Sequence, residues 1–140
     1  MDDHPGIAEL VRQEIVSMPL KELLEVAISH SLLPALYPVF ERHQVLPVLP
    51  EGITSLLKQA HARNAEKNAG IMRQVRSVAQ ALQQVCIPVV FLKGAGYLLQ
   101  GLYKDAGERV MTDIDVLVRG EDEEKVQEVL RGLGYKAMAE

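Results

Sequence analysis

The stretch IPVVFLKGAGYLLQGLYKDAGERVMTDIDVLV, residues 87–118, decides how the chain is read. Ile87, Val89, Val90, Phe91 and Leu92 make a short apolar run rich in β-branched residues, with Pro88 only near its beginning, so it reads as a buried strand. Gly94-Ala95-Gly96 then opens a helix through Leu98 and Leu99 to Gly101, and a loop follows to Met111. A second strand is expected over residues 112–118, and it carries Asp113 and Asp115 one residue apart.

Alternate residues of a strand share a face, so Ile114, Val116 and Val118 should point to the core and the two aspartates away from it. At about 6–7 Å, two ionised carboxylates repel by on the order of 2–3 kcal/mol at an effective dielectric near 20. Aspartate is also a poor strand former, on a scale spanning about 1 kcal/mol. A divalent cation between the carboxylates reverses the sign of that interaction, and Mg²⁺ characteristically uses one or two carboxylates together with substrate phosphates. A solvated sheet face is the alternative reading of such a pair.

Upstream, a strand that turns into a helix through Lys93-Gly94-Ala95-Gly96 offers free backbone N–H groups to a phosphate, with Lys93 adding a point charge. A glycine turn selected only for tight strand-to-helix packing is the other reading. A Walker loop ends in Gly-Lys-Ser/Thr, whereas here the lysine precedes the glycine. The dinucleotide fingerprint shares Gly94-x-Gly96, but its third glycine would fall at Leu99 and too little chain follows for a doubly wound sheet.

N-terminal to this unit the apolar period is helical. Pro5 suits a first helical turn, after which Ile7, Leu10, Val11, Ile15 and Met18 recur until Pro19. A second helix is expected from Leu20 to about Leu33, ended by Pro34, with a further short helical turn that Pro38 breaks or begins. QVLPVLP, residues 44–50, is a proline-punctuated connector. Residues 51–85 predict one long helix of about 50 Å, weakest at Asn68-Ala69-Gly70, where a glycine costs roughly 1 kcal/mol against alanine. A last helix is expected over residues 121–131, with Val126, Val129 and Leu130 inward, and a third strand begins at Tyr135. The period changes after residue 85, which divides the chain into a helical region, 1–85, and an α/β core, 86–140.

Composition sets the limits. With 140 residues, 48% apolar but without Trp and with two Phe, the chain can bury one aliphatic core, or one core and a small helical lobe. The single cysteine, Cys86, excludes an intramolecular disulfide, and its apolar neighbours predict an inert buried thiol in a reducing cytoplasm. No apolar run approaches the roughly 20 residues of a membrane span, and the acidic start MDDHPG is unlike a signal peptide. The net charge of −4 hides a basic middle, in which residues 52–85 carry five bases and one acid. That run reads as a solvated helix face, and the acidity of the whole argues against a dedicated nucleic-acid binder.

The order strand, glycine turn, helix and Asp-x-Asp resembles the DNA polymerase β-type nucleotidyltransferase superfamily. More closely, IPVVFLKGAGYLLQGLY with Arg109 and TDIDVLV, together with SHSLLPALYPVF at residues 29–40, resembles an uncharacterised nucleotidyltransferase-like family with Lys-Gly after the first strand. The resemblance implies an α+β fold: an N-terminal helical region, with a long helix, packed on a small mixed-sheet nucleotidyltransferase-type core. It implies transfer of a nucleoside monophosphate from a nucleoside triphosphate to an acceptor that the sequence leaves open, with Mg²⁺ (or Mn²⁺) as cofactor. Asp113 and Asp115 would be the metal ligands and catalytic carboxylates; Gly94, Ala95 and Gly96 the phosphate cradle; Lys93 and Arg109 the nucleotide-binding charges.

Two departures accompany the resemblance. The superfamily's usual turn is Gly-Gly or Gly-Ser where this chain has Gly94-Ala95, and its third carboxylate normally comes from a later strand, for which neither Glu140 nor Glu108 is expected to serve. The core is therefore expected to be truncated and the 140 residues inactive alone, self-associating as a homodimer through the long helix or an open sheet edge. The alternative is a non-catalytic module of this type that binds a nucleotide or a protein partner.

Overall fold

The computed structural model describes residues 9–138 apart from 11, 12 and 16. Pro5, Ile7 and Val11 of the expected first helix lie outside the described residues, as does Glu140; residues 9, 10, 13–15 and 17 are helical. The elements that follow are α1 (Leu20–Ser29), α2 (Leu33–Arg42), a 3₁₀ turn (Leu46–Val48), α3 (Glu51–Gln84), β1 (Val90–Phe91), α4 (Lys93–Leu99), β2 (Val116–Leu117), a 3₁₀ turn (Gly120–Asp122) and α5 (Glu123–Gly132). The class is α+β, and among the described residues no helix is long and apolar enough to cross a membrane.

The helices α1–α5 end alike. The residue after the cap has positive φ: Ser31, Gln44, Cys86, Gly101 and Gly134. In each case the next N–H reaches back five residues, as in Leu32 to Ala27, Val45 to Phe40, Ile87 to Leu82, Leu102 to Tyr97 and Tyr135 to Leu130. This is the Schellman closure, in which a left-handed residue lets the chain satisfy the last helical carbonyls and brings two apolar side chains together. Phe40 with Val45 and Leu82 with Ile87 are such pairs, each inside a buried cluster.

This closure corrects two expectations. α1 stops at Ser29, and Pro34 lies in the first turn of α2, where its missing N–H costs nothing, so the proline starts a helix instead of ending one. Cys86 is exposed, not buried, because the left-handed position turns its side chain outward while Leu82 and Ile87 close beneath it. Three of the five positions hold a residue with a Cβ, which is disfavoured at positive φ. Gln44→Gly, at an exposed position, is expected to raise stability by about 0.5–1 kcal/mol, or roughly 2–5 °C in thermal midpoint, as followed by circular dichroism.

The described residues form two compact units: those up to Asn68 with Tyr103–Val110, and Ala69–Leu102 with those from Met111 onward. α3 is helical without interruption through Gly70 and contributes its first part to one unit and its second part to the other. The sequence division at residue 85 follows the change of period; these units follow packing.

In the first unit Ile15, Phe40, Val45, Leu49 and Leu57 are buried together, with Leu20, Leu23 and Leu24 against them. Pro38 sits buried inside α2 and cannot donate to the Pro34 carbonyl; His61 Nδ1, 3.1 Å from that oxygen, takes the missing donor's place. In the second unit Val78, Leu82, Ile87 and Val126 form the core, with Val89, Phe91, Val118, Val129 and Leu130 packed on it.

The sheet has two antiparallel strands, Val90 opposite Leu117 and Phe91 opposite Val116. Both strands are shorter than their apolar runs predict, since only these residues pair. Residues 135–138 are not strand: the Tyr135 N–H closes α5 and the segment is exposed, so among the described residues no third strand makes the sheet mixed.

Candidate nucleotide and metal site

The strand register places the candidate residues. Continued by one residue beyond Phe91–Val116, it sets Leu92 against Asp115, and the Leu92 N–H donates to the Asp115 carbonyl at 2.9 Å. Lys93, the next residue, then lies beside the Asp115 side chain, its Nζ 3.1 Å from Oδ2. The lysine is 69% exposed and the aspartate 31%, so the pair stands at the surface, within reach of a ligand. Lys93 also has φ 48, a left-handed conformation that costs an L-residue about 1–2 kcal/mol.

Asp113 lies ahead of the paired part of the strand and is exposed, with the Thr112 hydroxyl 3.4 Å from its Oδ1. The alternation expected of this segment holds although the strand is short. Ile114 and Val116 line an apolar slot with Val78, Leu82, Val126 and Leu130, and neither Asp113 nor Asp115 belongs to that lining. The repulsion anticipated between the two acids is relieved on one side by an internal cation, the Lys93 ammonium.

Gly94, Ala95 and Gly96 are buried in the first turn of α4, which follows Leu92 directly. A Cβ on Gly96 would overlap the Phe91 carbonyl oxygen, and one on Gly94 would sit 2.8 Å from the Met111 Cγ and Sδ. Packing therefore accounts for the absence of side chains at both glycines. A phosphate-binding role rests instead on the N–H groups of Lys93, Gly94 and Ala95, which helix geometry leaves without carbonyl partners inside α4.

Arg109, the remaining nucleotide-binding candidate, belongs to the first unit. It is exposed, but its backbone is pinned by residues with no assigned role in the sequence reading. Asn64 Nδ2 donates to the carbonyls of Gly107 and Arg109 at 2.8 and 2.9 Å, and Asn68 Nδ2 to those of Ala106 and Arg109 at 2.5 and 2.6 Å. His61 Nε2 lies 3.1 Å from Asp105 Oδ2, and its ring stacks on Tyr37. Glu108, not expected to serve as the third carboxylate, is engaged with Arg42 at 2.9 Å. The signal was available: residues 57, 61, 64, 68 and 75 recur at helical spacing on one face of α3, where Asn64 and Asn68 are its buried polar residues.

Among the described residues no group of three or more His, Cys, Asp or Glu side chains is arranged to hold a metal ion. The donor set at Asp113 and Asp115 fits the kind of Mg²⁺ site that takes one or two carboxylates and completes its shell with phosphate oxygens and water.

A family model described as an uncharacterised nucleotidyltransferase matches residues 17–140. No curated protein and no solved structure matches. The matched span contains the Leu92-Lys93-Gly94 turn and the Asp113-Ile114-Asp115 segment that register brings together, and the chain belongs to the uncharacterised nucleotidyltransferase family.

Proposed function

We propose that this nucleotidyltransferase-type chain transfers a nucleoside monophosphate from a nucleoside triphosphate to an acceptor, releasing pyrophosphate, with the reacting phosphates placed at Lys93, Asp113 and Asp115. The observation that carries the reading is the pairing of Lys93 with Asp115 at one end of the two-stranded sheet, two residues from a second, exposed carboxylate. Opposite charges of this kind, accessible and held by backbone register, suit a ligand that brings both phosphates and a cation. Asp113 and Asp115 would hold Mg²⁺ or Mn²⁺, which when bound supplies Lewis-acid polarisation of a phosphoryl oxygen and neutralises triphosphate charge. Lys93 would take a non-bridging phosphate oxygen, and the N–H groups of Gly94 and Ala95 a second.

A second reading is a non-catalytic module that binds a nucleotide or a protein partner. The same ion pair favours it, since a carboxylate satisfied by an internal ammonium needs no metal.

The test is a titration of the four nucleoside triphosphates with Mn²⁺, followed by calorimetry for binding and by a coupled assay for pyrophosphate. Asp113→Asn combined with Asp115→Asn is expected to weaken Mn²⁺ binding at least tenfold and to leave the thermal midpoint equal or higher in chelator, because one like-charge repulsion is removed. Wild-type Mn²⁺ affinity in the double variant would sink the metal assignment. Nucleotide binding without pyrophosphate release would establish the second reading.

A further inference from the structure

We propose that Lys93 is a built-in competitor for the cation site: its ammonium occupies Asp115 and is displaced when a divalent cation binds, which couples cation binding to phosphate binding. The inference rests on the reading of Asp113 and Asp115 as a cation site.

Three observations carry it. The Lys93 Nζ is 3.1 Å from Asp115 Oδ2, so the ammonium stands where a cation sharing that carboxylate would have to approach. The backbone holds the two residues together through the Leu92 N–H to Asp115 carbonyl bond, so the side-chain pair follows from the fold and not from a free surface encounter. Lys93 is held at φ 48, in a conformation that favours glycine, and the residue there is one that carries a charge on a long exposed stem.

Charge then dictates order. Asp113, Asp115 and Lys93 together carry one net negative charge, which attracts a divalent cation weakly, and the ammonium repels it at short range. A cation that takes Asp115 frees the ammonium, and an anionic phosphate gives the ammonium a new partner. Phosphate binding thus removes the competitor from the carboxylate and raises cation affinity, and linkage requires the cation to raise phosphate affinity by the same factor. Lys93 in this role is a positioning and selectivity residue whose effect is legible in cation binding alone.

The experiment measures Mn²⁺ affinity of the 140-residue chain without nucleotide, by electron paramagnetic resonance of free Mn²⁺ at low ionic strength. Lys93→Met removes the charge, keeps the stem and retains a Cβ, so the left-handed backbone is burdened equally in both proteins. It is expected to tighten Mn²⁺ binding roughly three- to tenfold, a gain that shrinks in high salt, while Lys93→Arg stays within about twofold of wild type. In parallel, Mg²⁺ added to wild type is expected to shift the Lys93 Cε resonance, and to leave it unmoved in Asp115→Asn. Unchanged or weaker Mn²⁺ binding by Lys93→Met, with binding still abolished by Asp113→Asn, overturns the inference and leaves the cation site standing. Mn²⁺ binding insensitive to both aspartates, or absent from wild type and Lys93→Met alike, overturns the cation site and the inference together. If Lys93→Met fails to fold, Lys93→Gln and the Mg²⁺-dependent Cε shift decide between the same outcomes.

Discussion

Asn68→Asp is expected to destabilise the first unit by about 3–5 kcal/mol, a large part of the 5–15 kcal/mol that holds a domain of this size together. The substitution is nearly isosteric, so its effect is chemical. Asn68 is fully buried, and its single NH₂ group donates to the carbonyls of both Ala106 and Arg109. Two carbonyl oxygens converging on one side-chain atom fix that atom as nitrogen. The Asn68 Oδ1 is buried with no protein partner among the described residues, which marks the NH₂ fork as the reason for the residue. Aspartate would set an oxygen against two oxygens and bury a charge. Asn68→Ala, which takes the donor from the Ala106 carbonyl while Asn64 still serves that of Arg109, should cost less, about 2–3 kcal/mol. Urea denaturation gives the ranking, and faster hydrogen exchange at residues 107–109 in both variants would locate the damage. Equal stability of wild type and Asn68→Asp would mean that the loop is held by something other than this fork.

The same residue shows what the sequence concealed. Asn68-Ala69-Gly70 reads as the weak point of the long helix, because asparagine and glycine are poor helix formers. Yet α3 runs unbroken through it, since Asn68 is held by tertiary bonds that propensity cannot register. The buried stripe of α3 is apolar at Leu57 and again at Val75, Val78 and Leu82, but polar at Asn64 and Asn68. Those are the turns that receive the carbonyls of an irregular loop. A hydrophobic period reports the burial of apolar side chains; it is silent where backbone is the thing being buried.

The candidate site was more legible. Alternation around Asp113 and Asp115, and a short apolar strand before Lys93, are local features; the antiparallel register that pairs the two strands is not. The apolar neighbours of Cys86 point to burial, while its place one residue past a helix cap decides its exposure. Neither the Lys93–Asp115 contact nor the positive φ of Lys93 is local in that sense, since each depends on how β1 meets β2 and turns into α4.

Gly96→Ala should separate packing from ligand binding at that turn. The added methyl would fall on the Phe91 carbonyl oxygen, with the Phe91 carbonyl carbon 3.2 Å away, and a backbone group cannot rotate aside. To make room α4 has to lift from the end of β1, which strains the Gly96 N–H to Leu92 carbonyl bond of 3.2 Å and draws Lys93 from Asp115. A loss of about 2–4 kcal/mol in the second unit is expected, at the upper end of what overpacking costs. Gly94→Ala meets only the side chain of Met111, whose flexible thioether can shift, and should cost about 1–2 kcal/mol. Measured by urea midpoint, Gly96→Ala is thus the more damaging of the two. Nucleotide binding gives the complementary order: if the N–H groups of Lys93, Gly94 and Ala95 receive phosphate, a methyl at Gly94 that leaves the fold largely intact should still reduce triphosphate affinity, beyond what its stability loss explains. Gly94→Ala with wild-type nucleotide affinity would assign the turn to packing alone and leave Lys93 and the two aspartates to hold the ligand.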